Sequence, residues 1–250
     1  MLVAERRKLL IERLQLHGKV IARELASELD ISEDSIRRDL RELAAAGQCQ
    51  RVYGGAVTVS RALATYSARQ SVEPQSKQRV ARLAVNLIKP GDRVILDGGT
   101  TTLALTRALP AGLEATIITH SPTVAAALID HPAVEIILLG GRIYKHSAVA
   151  CGAAAAEAAR SLNADLFLLG VTGVHAAYGL TTGDPEEAAM KRTLAGQAAE
   201  TYVLASAEKL NSVSAYKVLD LGSVSGVVTD ADSRALNDLR ASGARIITSR

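Results

Sequence analysis

Short runs of apolar residues alternate with helical segments through most of residues 76–250, and this alternation restricts the fold more than any other feature. The apolar runs are continuous, as at 93–97, 116–119 and 134–139. Continuous apolar strands separated by helices are typical of a parallel sheet covered on both faces. We therefore predict a mostly parallel α/β domain over residues 76–250. Further strands are predicted at 166–169, 201–205, 226–229 and 245–248, and helices at 76–88, 102–109, 121–130, 152–161, 185–199 and 233–241.

Residues 1–58 follow a different pattern, in which three helices precede a short β-stretch. The helices are predicted at 3–16, 21–29 and 33–46, and residues 48–57 alternate until they reach two adjacent glycines. Helix, helix, tight turn and helix, followed by a short hairpin, is the order of a winged helix-turn-helix. Residues 59–75 lose apolar periodicity and contain Ser, Thr and Pro, so we predict a linker between the two domains.

The third helix of this segment has an apolar stripe formed by Ile36, Leu40 and Leu43. Taken alone, it could be an ordinary surface helix with solvated charges or a helix that enters a DNA major groove. The order of the neighbouring elements favours the second interpretation. Predicted DNA contacts are the N-cap Ser32, then Ser35 and Arg38 at base edges, and Arg37, Arg41 and Arg51 mostly at phosphates.

Charge and composition exclude several classes of protein without choosing the function. Residues 1–58 contain ten Lys/Arg and nine Asp/Glu, a net charge of only +1, so DNA binding would depend on local placement. In the first helix, Arg6 and Arg7 are expected to point outward. No signal peptide is recognisable and no apolar run reaches the ~18 residues of a membrane span, so we expect a cytoplasmic protein. Cys49 and Cys151 match no metal-ligand spacing, and we expect two free thiols, no metal and no cofactor.

Polar and glycine residues follow the predicted strands, at the sheet edge where parallel α/β proteins bind ligands. The strongest such loop is 97–102, where two glycines precede three threonines that open a helix, an arrangement suited to an anion. The alternative is a strand-to-helix turn with threonine caps and no ligand. The residues predicted at this edge are Asp97, Gly98, Gly99, Thr100, Thr101, Thr102, Thr119, His120, Ser121, Gly140, Gly141, Gly170 and Lys209.

The segment 184–191 also has two interpretations. Asp184 and Glu187 form a good helix cap, which explains Glu187 without any ligand, whereas Glu186 is not so explained and could meet sugar hydroxyls. Lys191 could pair with Glu187 four residues earlier or reach an anion. His120 is expected to be a hydrogen-bonding wall residue, and no catalytic residue is predicted.

Two sets of motifs resemble one family of bacterial transcriptional regulators, the DeoR family. SEDSIRRDLREL and RVYGGAV resemble its DNA-binding domain, and LDGGTTT, ITHS, LLGG and GLTTGDPEEAAMK resemble its effector domain. That effector domain is similar to the folds of ribose-5-phosphate isomerase and glucosamine-6-phosphate deaminase. The resemblance implies a phosphorylated sugar or related metabolite as effector, with its phosphate at Gly99, Thr100, Thr101 and Lys191 and its hydroxyls at Asp97 and Glu186.

Four positions depart from the family pattern beside the expected pocket. Family members commonly have Asn at His120, Asp at Thr172, Asp at Ser206, and Arg or Lys near Tyr144. These departures leave the 97–102 loop intact but leave the ligand class open. The loss of two carboxylates also weakens the case for an isomerase reaction, which needs a positioned base.

We therefore expect a DNA-binding regulator that is not an enzyme. We predict a repressor of carbohydrate catabolism genes that binds double-stranded operator DNA as a homo-oligomer, dimer or tetramer, under the control of the sugar phosphate. The alternative is a sugar-phosphate isomerase or deaminase with an accessory DNA-binding domain. The N-terminal domain distinguishes them, because an enzyme would not need it.

Overall fold

The computed structural model describes residues 1–59 and 66–249. Its N-terminal part is a winged helix-turn-helix, as predicted. The wing has a third strand that the sequence pattern did not indicate, because only four residues separate two helices there. The elements are α1 Val3–His17, β1 Lys19–Ile21, α2 Ala22–Glu28, α3 Glu33–Ala45, β2 Gln50–Val52 and β3 Gly55–Val59, and β3 pairs in antiparallel fashion with both other strands.

Helix α3 begins and ends where the sequence predicts. The Ser32 hydroxyl accepts a hydrogen bond from the Ser35 amide at 3.3 Å, which satisfies one free donor at the helix start. The apolar stripe of α3 is fully buried against Leu10 and Leu25 from the other two helices. The chain turns away at Gly47, whose φ of 70° is favourable only for glycine. The opposite face of α3 is therefore left to solvent.

A buried carboxylate on α3 fixes the position of α1. Asp39 is 1% exposed, and it accepts hydrogen bonds from the guanidinium groups of Arg6 and Arg7. Arg7 also pairs with Glu42, which lies on α3 like Asp39. The expectation that Arg6 and Arg7 point outward is therefore wrong. Asp39 of α3 faces inward, and a buried carboxylate needs cationic partners.

The C-terminal part is built on a seven-stranded parallel sheet, which confirms the predicted fold class. From the central strand 93–96, the chain first adds strands on one side. It then adds the remaining strands on the other side, beginning with strand 164–170, so the strand order reverses between these two central strands. In spatial order the strands are β16 Ile246–Ile247, β15 Gly226–Val228, β12 Ala198–Leu204, β9 Ala164–Gly170, β4 Arg93–Leu96, β5 Ala115–Thr119 and β6 Val134–Leu138. A reversal of this kind opens a crevice at the carboxyl ends of the two central strands.

Helices cover both faces of the sheet, and each face has its own apolar core. Val94 and Leu96 belong to one core, while Ile95 and Phe167 belong to the other, as the alternation of side chains along a strand requires. Two predicted helices are shorter than expected by four residues, because Gly196 ends the helix 185–195 and only 237–241 of the predicted 233–241 is helical. The helices are α4 Tyr66–Ser71, α5 Pro74–Val85, α6 Thr100–Thr106, α7 Pro122–Leu128, α8 Ala153–Arg160, α9 Pro185–Ala195 and α10 Asn237–Ala241.

The short strands of the C-terminal part that lie outside this sheet were not predicted, and all of them except 212–213 pair in antiparallel fashion. Each has only two to four residues, too few for a recognisable hydrophobic period. Of the segment 59–75, predicted as a linker, residues 60–65 lie outside the described part of the chain, and α4 and the start of α5 occupy much of the rest. The additional strands are β7 Arg142–Tyr144, β8 Val149–Cys151, β10 Gly173–His175, β11 Gly179–Thr182, β13 Ser212–Val213 and β14 Tyr216–Leu219.

One backbone pairing joins the winged domain to the α/β domain. Strand β13 pairs in parallel with β3 of the wing, with Ser212 opposite Thr58. At the same contact, a Cβ atom on Gly18 would lie 2.9 Å from both Cβ and the carbonyl oxygen of Asn211. The two domains therefore touch through main chain at close range.

Within residues 1–59 and 66–249, none of the helices combines the length and apolar character that crossing a membrane requires.

Replacing Asp39 by Asn should lower the free energy of unfolding by about 2 kcal/mol or more, because it leaves the largely buried Arg6 without a charged partner. Urea unfolding of the full chain, followed by circular dichroism, measures the change. Asp34→Asn is the matched control on the same helix, since Asp34 is exposed, and it should change stability by under about 1 kcal/mol. Equal effects of the two substitutions would contradict the role assigned to Asp39.

Candidate functional site

The outer face of α3 presents two arginines to solvent. Arg38 and Arg41 are exposed and form no ion pair with any residue that the structure describes. Arg37 pairs with Glu33 one turn earlier, with a guanidinium nitrogen 2.6 Å from the carboxylate. Ser32 and Ser35 bond to each other through their hydroxyls at 2.9 Å, so these hydroxyls serve the helix cap. The face can therefore offer Arg38 and Arg41 directly to a polyanion.

The wing adds an aromatic residue that the prediction did not include. Arg51 is exposed on β2, and Tyr53, at the turn that follows, is completely exposed. Both lie on the wing hairpin, which in this type of domain runs beside the DNA backbone. A tyrosine next to a glycine is recognisable in the sequence, but the exposure of its ring is not.

A cavity lies at the carboxyl ends of β4 and β9, where the strand order reverses. Part of this cavity is open to solvent. Sequence-predicted residues that line it are Gly98, Gly99, Thr100, Thr101, Thr102, Gly170, Lys191 and Lys209.

Seven predicted residues do not line the cavity. Four of them are buried behind it and bond to other protein groups, and two are exposed glycines on another loop. Glu186, expected to meet sugar hydroxyls, instead lies 3.4 Å from Arg142 near the surface. The predicted residues outside the cavity lining are Asp97, Thr119, His120, Ser121, Gly140, Gly141 and Glu186.

Asp97 is a structural hub behind the cavity. One carboxylate oxygen accepts from the Gly98 amide at 2.7 Å and faces His120 Nε2 at 2.8 Å. The other accepts from the Gly170 amide at 2.8 Å and from Lys191 Nζ at 2.5 Å. Burial would raise the pKa of Asp97, but Lys191 and His120 outweigh it and hold the pKa well below its ordinary value. The carboxylate is thus ionised and fully engaged.

His120 bridges this hub to the neighbouring loop. Its Nδ1 lies 2.8 Å from the carbonyl oxygen of Ala150, and its other nitrogen faces Asp97. Both ring nitrogens are therefore occupied by protein groups. This agrees with the expectation of a hydrogen-bonding wall residue, although the wall lies one layer behind the cavity.

Lys191 lies between the carboxylates of Asp97 and Glu187. Of its two predicted roles, pairing with Glu187 therefore describes it better than binding an anion as a free cation. Its Nζ is also 3.3 Å from Glu187, and both carboxylates raise its pKa against the lowering effect of burial. The predicted cap is present, since Asp184 accepts from the Glu187 amide at 2.9 Å. The Glu187 side chain, however, turns into the cavity and accepts from Thr182 at 2.5 Å.

Two basic residues of the cavity come from elements that sequence reasoning did not connect with it. Arg69 on α4 and Lys77 on α5 are 7% and 4% exposed and both line the cavity. Arg69 donates to the carbonyl of His146, and Lys77 donates to the carbonyls of Arg69 and Val72. Lys77 shares the buried stripe of α5, a signal that could have found it, whereas nothing in the sequence marks Arg69.

Lys209 completes a group of three cations. Its Nζ lies 3.2 Å from the Thr101 hydroxyl, at the start of α6. Burial lowers the pKa of Lys209 to about 8, opposed by the nearby Glu208 and assisted by the positive charges of Arg69 and Lys77. Helix α6 has only seven residues, and these three side chains supply formal positive charge beside its start. Such a group is suited to a compact anion.

The departures from the family pattern have definite partners. Thr172 lines the cavity and its hydroxyl lies 2.7 Å from that of Ser214. The buried Ser206 donates to Glu208 at 2.6 Å. Tyr144 lies beside His146, with ring centroids 5.7 Å apart. In the described ranges, no three His, Cys, Asp or Glu side chains converge in a way that could hold a metal ion.

Comparisons with known proteins identify the same family in both parts of the chain. A family model described as "DeoR-like helix-turn-helix domain" matches residues 6–62, and one described as "DeoR C terminal sensor domain" matches residues 72–231. The "HTH-type transcriptional repressor GlcR" of Bacillus subtilis is 34% identical over 90% of this chain and 88% of that protein. The "HTH-type transcriptional regulator GlpR" of Haloferax volcanii is 30% identical over 99% of this chain and 98% of that protein.

A solved structure is also similar to part of the chain. Ribose 5-phosphate isomerase A from Methanocaldococcus jannaschii has 19% identity and a TM-score of 0.37, over 51% of this chain and 50% of that one. A similarity of this extent carries no statement about function.

The affinity of the cavity for a simple phosphate monoester should fall as the pH rises above about 8, because Lys209 then loses its proton. The second pKa of such an ester is about 6, so the charge of the ligand is constant over this range. Calorimetric titration between pH 7 and 9.5 measures the effect. Lys209→Arg should remove most of the pH dependence, since a guanidinium stays charged. A flat profile for the unsubstituted protein would contradict the assignment.

Proposed function

The chain belongs to the DeoR family of transcriptional regulators, and we propose that it is a repressor of carbohydrate catabolism genes that a phosphorylated sugar releases from operator DNA. The observation that carries this proposal is the group of three cations beside the threonine loop. Arg69, Lys77 and Lys209 converge on the end of the cavity where Thr100 and Thr101 begin α6. A phosphate monoester carries nearly two negative charges at neutral pH and accepts several hydrogen bonds, which fits this end of the cavity.

The remainder of the cavity suits a hydroxylated molecule. Thr102, Ser147, Thr172 and Thr182 contribute hydroxyl groups to its lining. Hydroxyls can donate to or accept from sugar hydroxyls, so they select a polar and not an apolar body for the ligand. We assign the phosphate to Gly99, Thr100 and Thr101, as predicted, and add Arg69 and Lys77. Lys209 takes the place of the predicted Lys191, because Lys191 is paired with Asp97 and Glu187.

The buried carboxylates favour binding over catalysis. A general base needs a pKa near the working pH and a reachable proton. Asp97 and Glu187 both have pKa values lowered by Lys191 despite burial, and both are engaged with protein donors. Carboxylates held in this way stabilise the pocket but are poor proton acceptors. This supports a sensor in preference to an isomerase.

For DNA binding, we assign Arg38 to a base edge and Arg41 and Arg51 to phosphates. Arg38 lies in the middle of the outer face of α3, whereas Arg51 lies on the wing. One short helix offers few base contacts, so specific binding requires a second copy on a second half-site. We therefore propose a homo-oligomer with at least two winged domains on one operator.

The route from the cavity to the DNA-binding domain is short. Lys209 lies in the cavity, and three residues later the chain enters β13, which pairs with β3 of the wing. Directly after β13, the hydroxyl of Ser214 contacts that of Thr172, which lines the cavity. A ligand that moves Lys209 or Thr172 would therefore shift the segment 209–214 and the wing sheet with it. Such a ligand changes DNA affinity only if it binds the two arrangements differently.

The proposal predicts that one or more sugar phosphates weaken operator binding by about fivefold to 150-fold, the usual size of coupling between two sites. The operator is first selected from a random duplex library. Footprinting is then repeated with ribose, fructose, glucose and glucosamine phosphates. Appreciable turnover of any of these compounds would favour the enzyme alternative.

Arg38→Ala provides the control for the division of labour between the domains. It should cost about 1–3 kcal/mol at one base pair, while the thermal stabilisation by a sugar phosphate is unchanged. Arg82→Ala removes an exposed charge from α5 and should change neither property. If Arg38→Ala left base preference intact, the orientation assigned to α3 would be wrong.

A disulfide between Thr58→Cys and Ser212→Cys should abolish the effect of the sugar phosphate on DNA affinity. These residues are opposite each other in the β3–β13 pair, and neighbouring strands lie at about 4.8 Å, within the Cα range of a disulfide. DNA affinity is measured with and without the sugar phosphate, before and after reduction.

Reduction should restore the response, and each single cysteine variant should respond under oxidising conditions. The native Cys49 and Cys151 are both buried and should not interfere. A full response in the oxidised double variant would rule out this contact as the route.

A further inference from the structure

Glu208 is an acidic residue within the cationic end of the cavity. It lies on the short 3₁₀ turn Ala207–Lys209, which follows β12, and it lines the same cavity as Lys77 and Lys209. The Ser206 hydroxyl donates to its Oε1 at 2.6 Å and so fixes one side of the carboxylate. Its Oε2 is buried, and no group in the described part of the chain forms a hydrogen bond with it.

A buried carboxylate oxygen without a hydrogen bond is uncommon, because losing water without a replacement donor costs free energy. Arg69, which lines the same cavity, has a second buried polar atom without a hydrogen bond to the described residues, its Nε. One of these atoms needs a donor and the other needs an acceptor. A ligand that satisfies both must carry an anionic or acceptor group and, separately, a donor.

Charge indicates which kind of donor Glu208 meets. Arg69, Lys77 and Lys209 with Glu208 give this end of the cavity a formal charge of +2. A phosphate monoester carries about −1.5 to −2 at neutral pH. The phosphate alone therefore balances the group, and the rest of the ligand needs no charge. A neutral hydroxyl fits Glu208 better than an ammonium group does.

We propose that Glu208 is a specificity-determining residue whose Oε2 accepts a hydrogen bond from a hydroxyl of the phosphorylated sugar. This assignment rests on the proposed function, since it requires a phosphate at the neighbouring cations. Ser206 acts as a positioning residue, because its hydrogen bond holds Oε1 and leaves Oε2 available. The site thus distinguishes a sugar phosphate from a bare phosphate by its hydroxyl and not by its charge.

A different role for Glu208 would be to offset the positive charges of Lys77 and Lys209. The two roles predict opposite results for Glu208→Gln. If Glu208 only offsets charge, its neutralisation should strengthen the binding of every anion. If it binds a hydroxyl, neutralisation should weaken the binding of a sugar phosphate but not that of inorganic phosphate.

The experiment compares the dissociation constants of inorganic phosphate, ethyl phosphate, glucose 6-phosphate, glucosamine 6-phosphate, fructose 6-phosphate and ribose 5-phosphate. It uses the full chain and its Glu208→Gln, Glu208→Ala and Glu200→Gln variants. Glu200 is exposed on β12, so its variant is the matched control. For the sugar phosphate that binds best, we expect a tenfold or greater loss in both Glu208 variants. Inorganic and ethyl phosphate should bind unchanged or more tightly.

Other outcomes overturn the assignment in distinguishable ways. Tighter binding of all six compounds to Glu208→Gln would reduce Glu208 to a charge-offsetting residue. A loss confined to glucosamine 6-phosphate would mean that Glu208 meets an ammonium group. If inorganic phosphate bound but no sugar phosphate bound more tightly, the proposed function would fail, and this assignment with it. Circular dichroism of each variant separates a lost contact from a lost fold.

Discussion

The buried carboxylate of Asp97 is the interaction on which the α/β domain depends. It follows β4 directly and binds the Gly170 amide at the end of β9, Lys191 of α9 and the His120 ring after β5. One side chain therefore holds together the ends of three neighbouring strands and a helix. An ionised carboxylate in the interior must be paired, so moving any of these partners away would cost free energy. The cavity opens directly in front of this fixed layer.

The winged domain uses the same device on a smaller scale. Asp39 is buried on α3 and is held by Arg6 and Arg7 of α1. Each domain thus has a rigid ionic centre, with the functional face turned away from it. Between the two centres lies the β3–β13 pairing, a main-chain contact of two residue pairs. An ion pair between Lys19 of β1 and Asp238 of α10 adds to this contact. These contacts lie outside both ionic centres, so they can change without breaking either one.

The sequence identified the loop that lines the cavity but not the side chains that give it its charge. Thr100 and Thr101 were found because a strand, two glycines and a helix start are all visible locally. Arg69 was not found, because α4 has six residues and no apolar period. The sequence predicts a ligand contact for Asp97, since its place after a strand is recognisable but the direction of its side chain is not. Glu187 was explained by the helix cap, which concerns its amide and leaves its carboxylate free to turn inward.

By itself, the sequence determined the fold class, the two types of domain, the start of α3 and the edge of the sheet where a ligand would bind. These depend on hydrophobic period, capping residues and glycine position, all of which act within a few residues. Only the tertiary structure decided which polar groups face the cavity and which pair behind it. That choice depends on partners more than 70 residues apart, such as Asp97 with Gly170 and Lys191. Burial makes such pairings compulsory, but only packing determines which partners meet.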